Sequence, residues 1–62
     1  KGEKRGNPVI GNDVTIYANA TVCGHIRIGN GAQIAAGAFV NVDVPDDAVV
    51  IGNPGVIHLK LQ

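Results

Sequence analysis

The sequence predicts an all-β fold made of short coils stacked on one another, and three features of it lead there. Across residues 10–45 an aliphatic anchor returns at every sixth position: Ile10, Ile16, Val22, Ile28, Ile34 and Val40. Four residues after each anchor stands a second small or aliphatic residue, in turn Val14, Ala20, Ile26, Ala32, Ala38 and Val44. The stretches between are cut at regular intervals by Gly and Asn, which turn a chain at low cost. A helical face would need apolar residues near i, i+3, i+4 and i+7, and a plain strand would alternate without interruption. A fixed short repeat means stacked structural units sharing one core.

Composition narrows the reading. The chain has 62 residues, enough for one small domain. A globular chain of this size buries only about 60% of its unfolded surface and is marginal alone. Its apolar volume comes almost entirely from Val, Ile and Ala, with one Phe, one Tyr and neither Trp nor Met. That suits a narrow coil packed with β-branched side chains. The net charge is zero, and Lys1, Lys4 and Arg5 hold three of the five basic residues. The remainder is slightly acidic, which argues against a nucleic-acid groove. No apolar run is long enough for a membrane span and no signal peptide is visible, so the expected location is cytoplasmic. Cys23 stands alone, which excludes an internal disulfide. Asn19-Ala20-Thr21 fits a glycosylation sequon, read as incidental without a secretory signal.

In chain order, residues 1–9 are polar and read as a loop leading from an upstream part. The chain opens in mid-loop without Met, which fits a piece of a longer chain first and a processed chain second. In residues 10–45 each six-residue unit should give one short strand and one corner. Three units close a triangular coil, giving coils at 10–27 and 28–45. Ile10 should then stack on Ile28, Ile16 on Ile34 and Val22 on Val40. Residues 46–62 form a tail. There Val44-Pro45-Asp46-Asp47 reads as a turn leaving the coil, Ala48–Ile51 as a short buried strand and Gly52–Gly55 as a second turn. Val56–Leu61 alternates like an edge strand. Two coils are few for a repeat array, which needs about three units and capped ends. Upstream coils, a homotrimer, or both are therefore expected.

The six-residue pattern resembles the hexapeptide repeat of left-handed parallel β-helix acyltransferases. The run Val22-Cys23-Gly24-His25-Ile26-Arg27-Ile28-Gly29 is similar in form to a coil of serine acetyltransferases. The tail is similar too: those enzymes end in a Val-Pro turn, an aliphatic strand, then Gly-x-Pro-Ala and a basic residue. Here Gly55 stands where Ala is usual and Val56 where Arg or Lys is usual. Right-handed crossovers make up about 98% of parallel connections, so the left hand rests on the resemblance alone. The resemblance further implies a trimer with sites between subunits, acetyl-CoA as co-substrate and a hydroxyl acceptor. Serine is the foremost acceptor, which would place the protein in cysteine biosynthesis.

Coenzyme A carries an amide-rich pantetheine arm, and small side chains let such an arm approach a backbone. Ala35-Ala36-Gly37-Ala38 is a bare patch of this kind, and Ala18 stands three units before Ala36. The resemblance gives Ala18 and Ala36 the lining of the acetyl-CoA groove and extends that role to Asn41 and Val42. Anionic phosphates prefer Lys or Arg, and Lys60 is the candidate to replace the basic residue missing at Val56. Asn7 stands where serine acetyltransferases carry a His beside Pro, at the acceptor end.

No catalytic residue is assigned within the chain. His25 could act as a general base towards a hydroxyl, but no carboxylate lies near it in sequence to orient it, and it reads as a surface histidine. His58 reads the same way. The catalytic His is expected upstream of Lys1. The γ-class carbonic anhydrases share this fold but use three His ligands, and two His with one thiol do not make that site. Cys23 reads as a small corner residue. The varied outward positions form no Thr ladder for ice binding. The rival functions are a sugar or sugar-nucleotide O-acetyltransferase and a non-catalytic β-helix assembly module, since fold does not fix function.

Overall fold

The structure, a computed structural model, describes residues 7–59. Every anchor is the second residue of a two-residue strand. These strands are β1 (Val9–Ile10), β2 (Thr15–Ile16), β3 (Thr21–Val22), β4 (Arg27–Ile28), β5 (Gln33–Ile34) and β6 (Phe39–Val40). Two longer strands follow, β7 (Val49–Ile51) and β8 (Val56–His58). The β-branched anchors suit a pleated surface and point inward.

The chain winds as a parallel β-helix with three faces. The first holds β1 and β4, the second β2, β5, β7 and β8, the third β3 and β6. The expected stacking is observed: Ile10 pairs with Ile28, Ile16 with Ile34 and Val22 with Val40, all in parallel. The core is a column of Ile28, Ile34, Val40, Val44 and Val50, with Ile26, Ala32, Ala38 and Ala48 filling the inner corners. Ile28 and Ile34 are 1% and 0% exposed, whereas Ile10 and Ile16 in the coil above them are 44% and 45% exposed. Among the described residues nothing covers that upper end.

The corners after the first and second faces share one design. Their third residue is left-handed: Asp13, Asn19, Gly31, Gly37 and Asp47 have φ of 59°, 63°, 75°, 74° and 59°. A type II turn needs positive φ there, which Gly, Asn and Asp adopt most readily. The carbonyl of the first turn residue accepts from the fourth, as in Ala38 N–H to Ala35 O at 3.1 Å and Ala48 N–H to Pro45 O at 3.3 Å. At the first corner an Asx ladder links the coils. Asn12 N–H donates to Asn30 Oδ1 at 2.7 Å, and Asn30 N–H to Asp46 Oδ1 at 2.8 Å. The third corner differs, with Gly24 at φ 95° and Ile26 N–H donating to Gly24 O at 3.0 Å.

The structure corrects the expectation that the turn at Val44–Asp47 leaves the coil. Val44 bridges Ile28 in parallel, and β7 pairs parallel with β5, so that Val50 stacks on Ile34. The chain therefore winds on into a third coil. Along the Asx ladder the step is 18 residues from Asn12 to Asn30 but 16 from Asn30 to Asp46. Two residues are missing between Val40 and Val44. Val44 is thus the anchor of a new unit as well as an apparent fourth-place residue of the old one. The new unit has Asp47 in the left-handed place, Ala48 in the inner corner and Val50 as its next anchor. Asp43 bridges the shortfall: Arg27 N–H donates to its carboxylate Oδ1 at 2.9 Å.

At the lower end the second and third faces are covered. β8 turns back antiparallel to β7, with Val50 opposite Ile57 and Ile51 opposite Val56. It forms the edge strand that the alternation of Val56–Leu61 predicts. The turn between them docks on β6 in place of a third-face strand. Phe39 N–H donates to Gly52 O at 2.9 Å, and Gly55 N–H to Phe39 O at 2.9 Å. A side chain at Gly55 would run into the Phe39 carbonyl oxygen, which explains Gly at a place where Ala is usual in the resembling tails.

Candidate functional site

The second corner, between the second and third faces, is the barest part of the surface. Ala18 and Ala36 are the second residues of the stacked turns Tyr17–Ala20 and Ala35–Ala38. Gly37 N–H donates to Ala18 O at 3.0 Å and ties one turn to the other. Both alanines are exposed, and among the described residues neither of their N–H groups meets an acceptor. A Cβ at Gly37 would find nothing within 4 Å, so the space before this shelf is open. Beside it runs an outward apolar stripe. Tyr17, Ala35 and Ile51 each follow an anchor on the second face, Val56 pairs with Ile51, and Tyr17, Ile51 and Val56 are exposed. A shelf with spare amide donors next to an apolar wall suits a ligand that carries both amides and apolar chain.

The third corner gathers the other candidates. Asn41 and Val42 lie there, after β6, and both are exposed. Continuing the Val9–Arg27 register places Asn7 over His25 at the same corner. The structure thus brings Ala18 and Ala36 to one corner and Asn7, Asn41 and Val42 to the next, with a two-residue face between them. Lys60 lies outside the described residues. His25, His58 and Cys23 are exposed. Among the described residues no group of three or more His, Cys, Asp or Glu could hold a metal ion.

Sequence reasoning missed two features. One is Asp43, whose role follows from the two-residue shortfall and is legible only once Val44 is seen as an anchor. The other is the Tyr17–Ile51–Val56 stripe, whose signal is the apolar residue directly after an anchor. Arg27 is the one Lys or Arg in residues 7–59, against Asp13, Asp43, Asp46 and Asp47. Phosphate groups would thus find little positive charge there. No enclosed pocket forms among the described residues. No helix among them is long and apolar enough to cross a membrane.

Comparison with known proteins agrees with the coil geometry. Residues 7–41 match the family described as bacterial transferase hexapeptide (six repeats). YvoF of Bacillus subtilis (strain 168), an acetyltransferase by name, is 49% identical over 56 residues, covering 89% of this chain and 33% of that protein. The 2,3,4,5-tetrahydropyridine-2,6-dicarboxylate N-acetyltransferase of Staphylococcus aureus (strain JH9) is 49% identical over 49 residues, covering 79% of this chain and 20% of that protein. Among solved structures, serine acetyltransferase of Neisseria gonorrhoeae superposes with a TM-score of 0.87 at 42% identity, over 95% of this chain and 24% of that one. The chain spans from 20% to 33% of the length of the curated relatives it matches. The repeat, the three-faced winding and these matches agree: the chain belongs to the hexapeptide-repeat transferase family, and its fold is the left-handed parallel β-helix.

Proposed function

We propose that this chain forms the CoA-binding part of an acetyl-CoA-dependent acetyltransferase that acts on a hydroxyl acceptor, with serine the first acceptor to test. The observation that carries this reading is the Ala18–Ala36 shelf, with its unpaired N–H groups and open approach. Amide oxygens of the pantetheine arm would accept from those N–H groups, and the methyl side chains would let them come close. The serine acetyltransferase neighbour supports an oxygen acceptor, while the N-acetyltransferase relative makes an amine the control.

In the transfer, the acceptor oxygen bonds to the thioester carbonyl carbon, the C–S bond breaks and CoA leaves as the thiol. A general base takes the hydroxyl proton, and backbone amides stabilise the oxyanion. This reading puts the base on a His upstream of Lys1, because His25 and His58 are exposed and accept or donate no side-chain hydrogen bond among the described residues. Lys60 would meet the CoA phosphates, Asn41 and Val42 would border the groove, and Asn7 would face the acceptor. An open shelf needs a second wall. The exposed Tyr17, Ile51 and Val56 support a homotrimer in which a neighbouring copy supplies it, working in the cytoplasm.

One observation favours an assembly module instead: Val56 in place of the basic residue usual at the end of such tails. Calorimetry of acetyl-CoA on the full-length protein separates the two. Catalytic use predicts micromolar binding, weakened about tenfold or more by Ala36→Trp, since a lost close contact of about 1.4 kcal/mol is tenfold. No binding at millimolar CoA would move the assignment to assembly.

A further inference from the structure

The sequence contains one Asn-Gly pair, Asn30-Gly31, and the fold holds both reacting groups of that pair on one residue of the coil above. Gly31 N–H donates to Asn12 O at 2.8 Å. Asn12 N–H donates to Asn30 Oδ1 at 2.7 Å. Asn30 is exposed to solvent, so water has access and the restraint is one of geometry.

We infer that Asn30 is a spontaneous deamidation site whose reaction is gated by the stacking of the first coil on the second. In the reaction the Gly31 amide nitrogen attacks Asn30 Cγ. The N–Cγ bond forms, the Cγ–Nδ2 bond breaks and ammonia leaves, taking up the proton lost from Gly31 nitrogen. Water then opens the cyclic imide at either carbonyl, giving Asp or isoaspartate. Glycine in second place has no Cβ to obstruct ring closure. In the stacked coils, however, the nucleophilic nitrogen has its proton engaged by Asn12 O. The electrophilic carboxamide is held by Asn12 N–H. Neither can turn towards the other until Asn12 lifts away.

Asn12 and Asn30 lie on adjacent coils, so the gate opens when the first corner of the upper coil separates locally from the corner beneath it. The products do not restore the starting state. Aspartate at position 30 adds a carboxylate to a corner that already holds Asp13, Asp46 and Asp47. Isoaspartate lengthens the backbone by one methylene and takes Gly31 out of register with Asn12. The modification is thus a one-way record of first-coil opening.

The test follows Asn30 in the full-length protein and in a synthetic peptide of residues 26–36, which has no coil to stack on. Both are kept at mildly alkaline pH. The readouts are the one-dalton mass gain by peptide mapping and isoaspartyl methylation. The peptide should convert about tenfold faster or more, because loss of a local hydrogen-bonded opening equilibrium alone accounts for a factor of that order. Ile16→Ala, which loosens the first coil without touching Asn30, should raise the protein's rate towards the peptide's. Asn30→Gln should abolish the signal. Equal rates in wild-type protein and peptide would overturn the gating, and conversion at other asparagines with none at Asn30 would overturn the site.

Discussion

Removing the Asp43 carboxylate should loosen the corner at which the third coil is two residues short. In the upper coil the anchors Val22 and Ile28 are joined by a full corner, and Val9 N–H donates to Ile26 O at 2.8 Å. One coil lower the chain passes from Val40 to Val44 directly, and the matching donor, Arg27 N–H, turns to Asp43 Oδ1 at 2.9 Å. A hydrogen bond to a charged acceptor contributes about 1.5–3 kcal/mol. Asp43 is exposed and water can partly replace it, so Asp43→Ala should cost about 1 kcal/mol, near the general mean for one hydrogen bond. That lowers Tm by about 4–8 °C in a cooperative unit of 60–100 residues and by about 2–4 °C in one of 150–250. Asp43→Asn keeps an acceptor oxygen and should retain most of the stability. Thermal unfolding followed by circular dichroism gives the global number, and hydrogen exchange at the Arg27 amide gives the local one. An Asp43→Ala protein that melts with the wild type, its Arg27 amide still slow to exchange, would refute the bridging role.

Two further substitutions probe the turns. Gly55→Ala should destabilise by about 1–3 kcal/mol, the range for forced overpacking, because the new methyl meets the Phe39 carbonyl oxygen; a urea midpoint that does not fall would contradict that close approach. At Gly37 the space is open but φ is 74°, so the cost is conformational. Gly37→Val should lose about 1–2 kcal/mol and Gly37→Asn clearly less, since a short polar side chain tolerates the left-handed region, with both read by chemical denaturation.

The strands and their stacking were legible because each anchor carries two constraints at once, its own six-residue period and the small residue four places on. Ile28 and Ile34 satisfy both and are fully buried. The third coil was not legible because Val44 satisfies two rules. It is a fair fourth-place residue after Val40 and a fair anchor for Val50, and a period count alone cannot choose. The left-handed turn positions could have chosen, since Asp47 stands three after Val44 as Asp13 does after Ile10. At the candidate site, the pairing of Ala18 with Ala36 needed only the coil count. The apolar wall beside the shelf was harder to read, because the outward Tyr17 and Ile51 obey no interior rule and stand out only as apolar residues directly after an anchor.

The two ends of the described solenoid are unequal, and the inequality makes its length easier to adjust above the first coil than below the third. Above Ile10 and Ile16 any further coil that keeps the register finds matching anchors and the open end of the Asx ladder. Below Val50 the reversed strand β8 covers the second face and the turn seated on Phe39 covers the third, so among the described residues the winding is stopped on two of its three faces. Whole coils placed ahead of Val9 would therefore act as interchangeable spacers, setting how far a partner domain stands from the Ala18–Ala36 corner without altering that corner. A spacer of the same size placed after Val44 would have to undo the closure first.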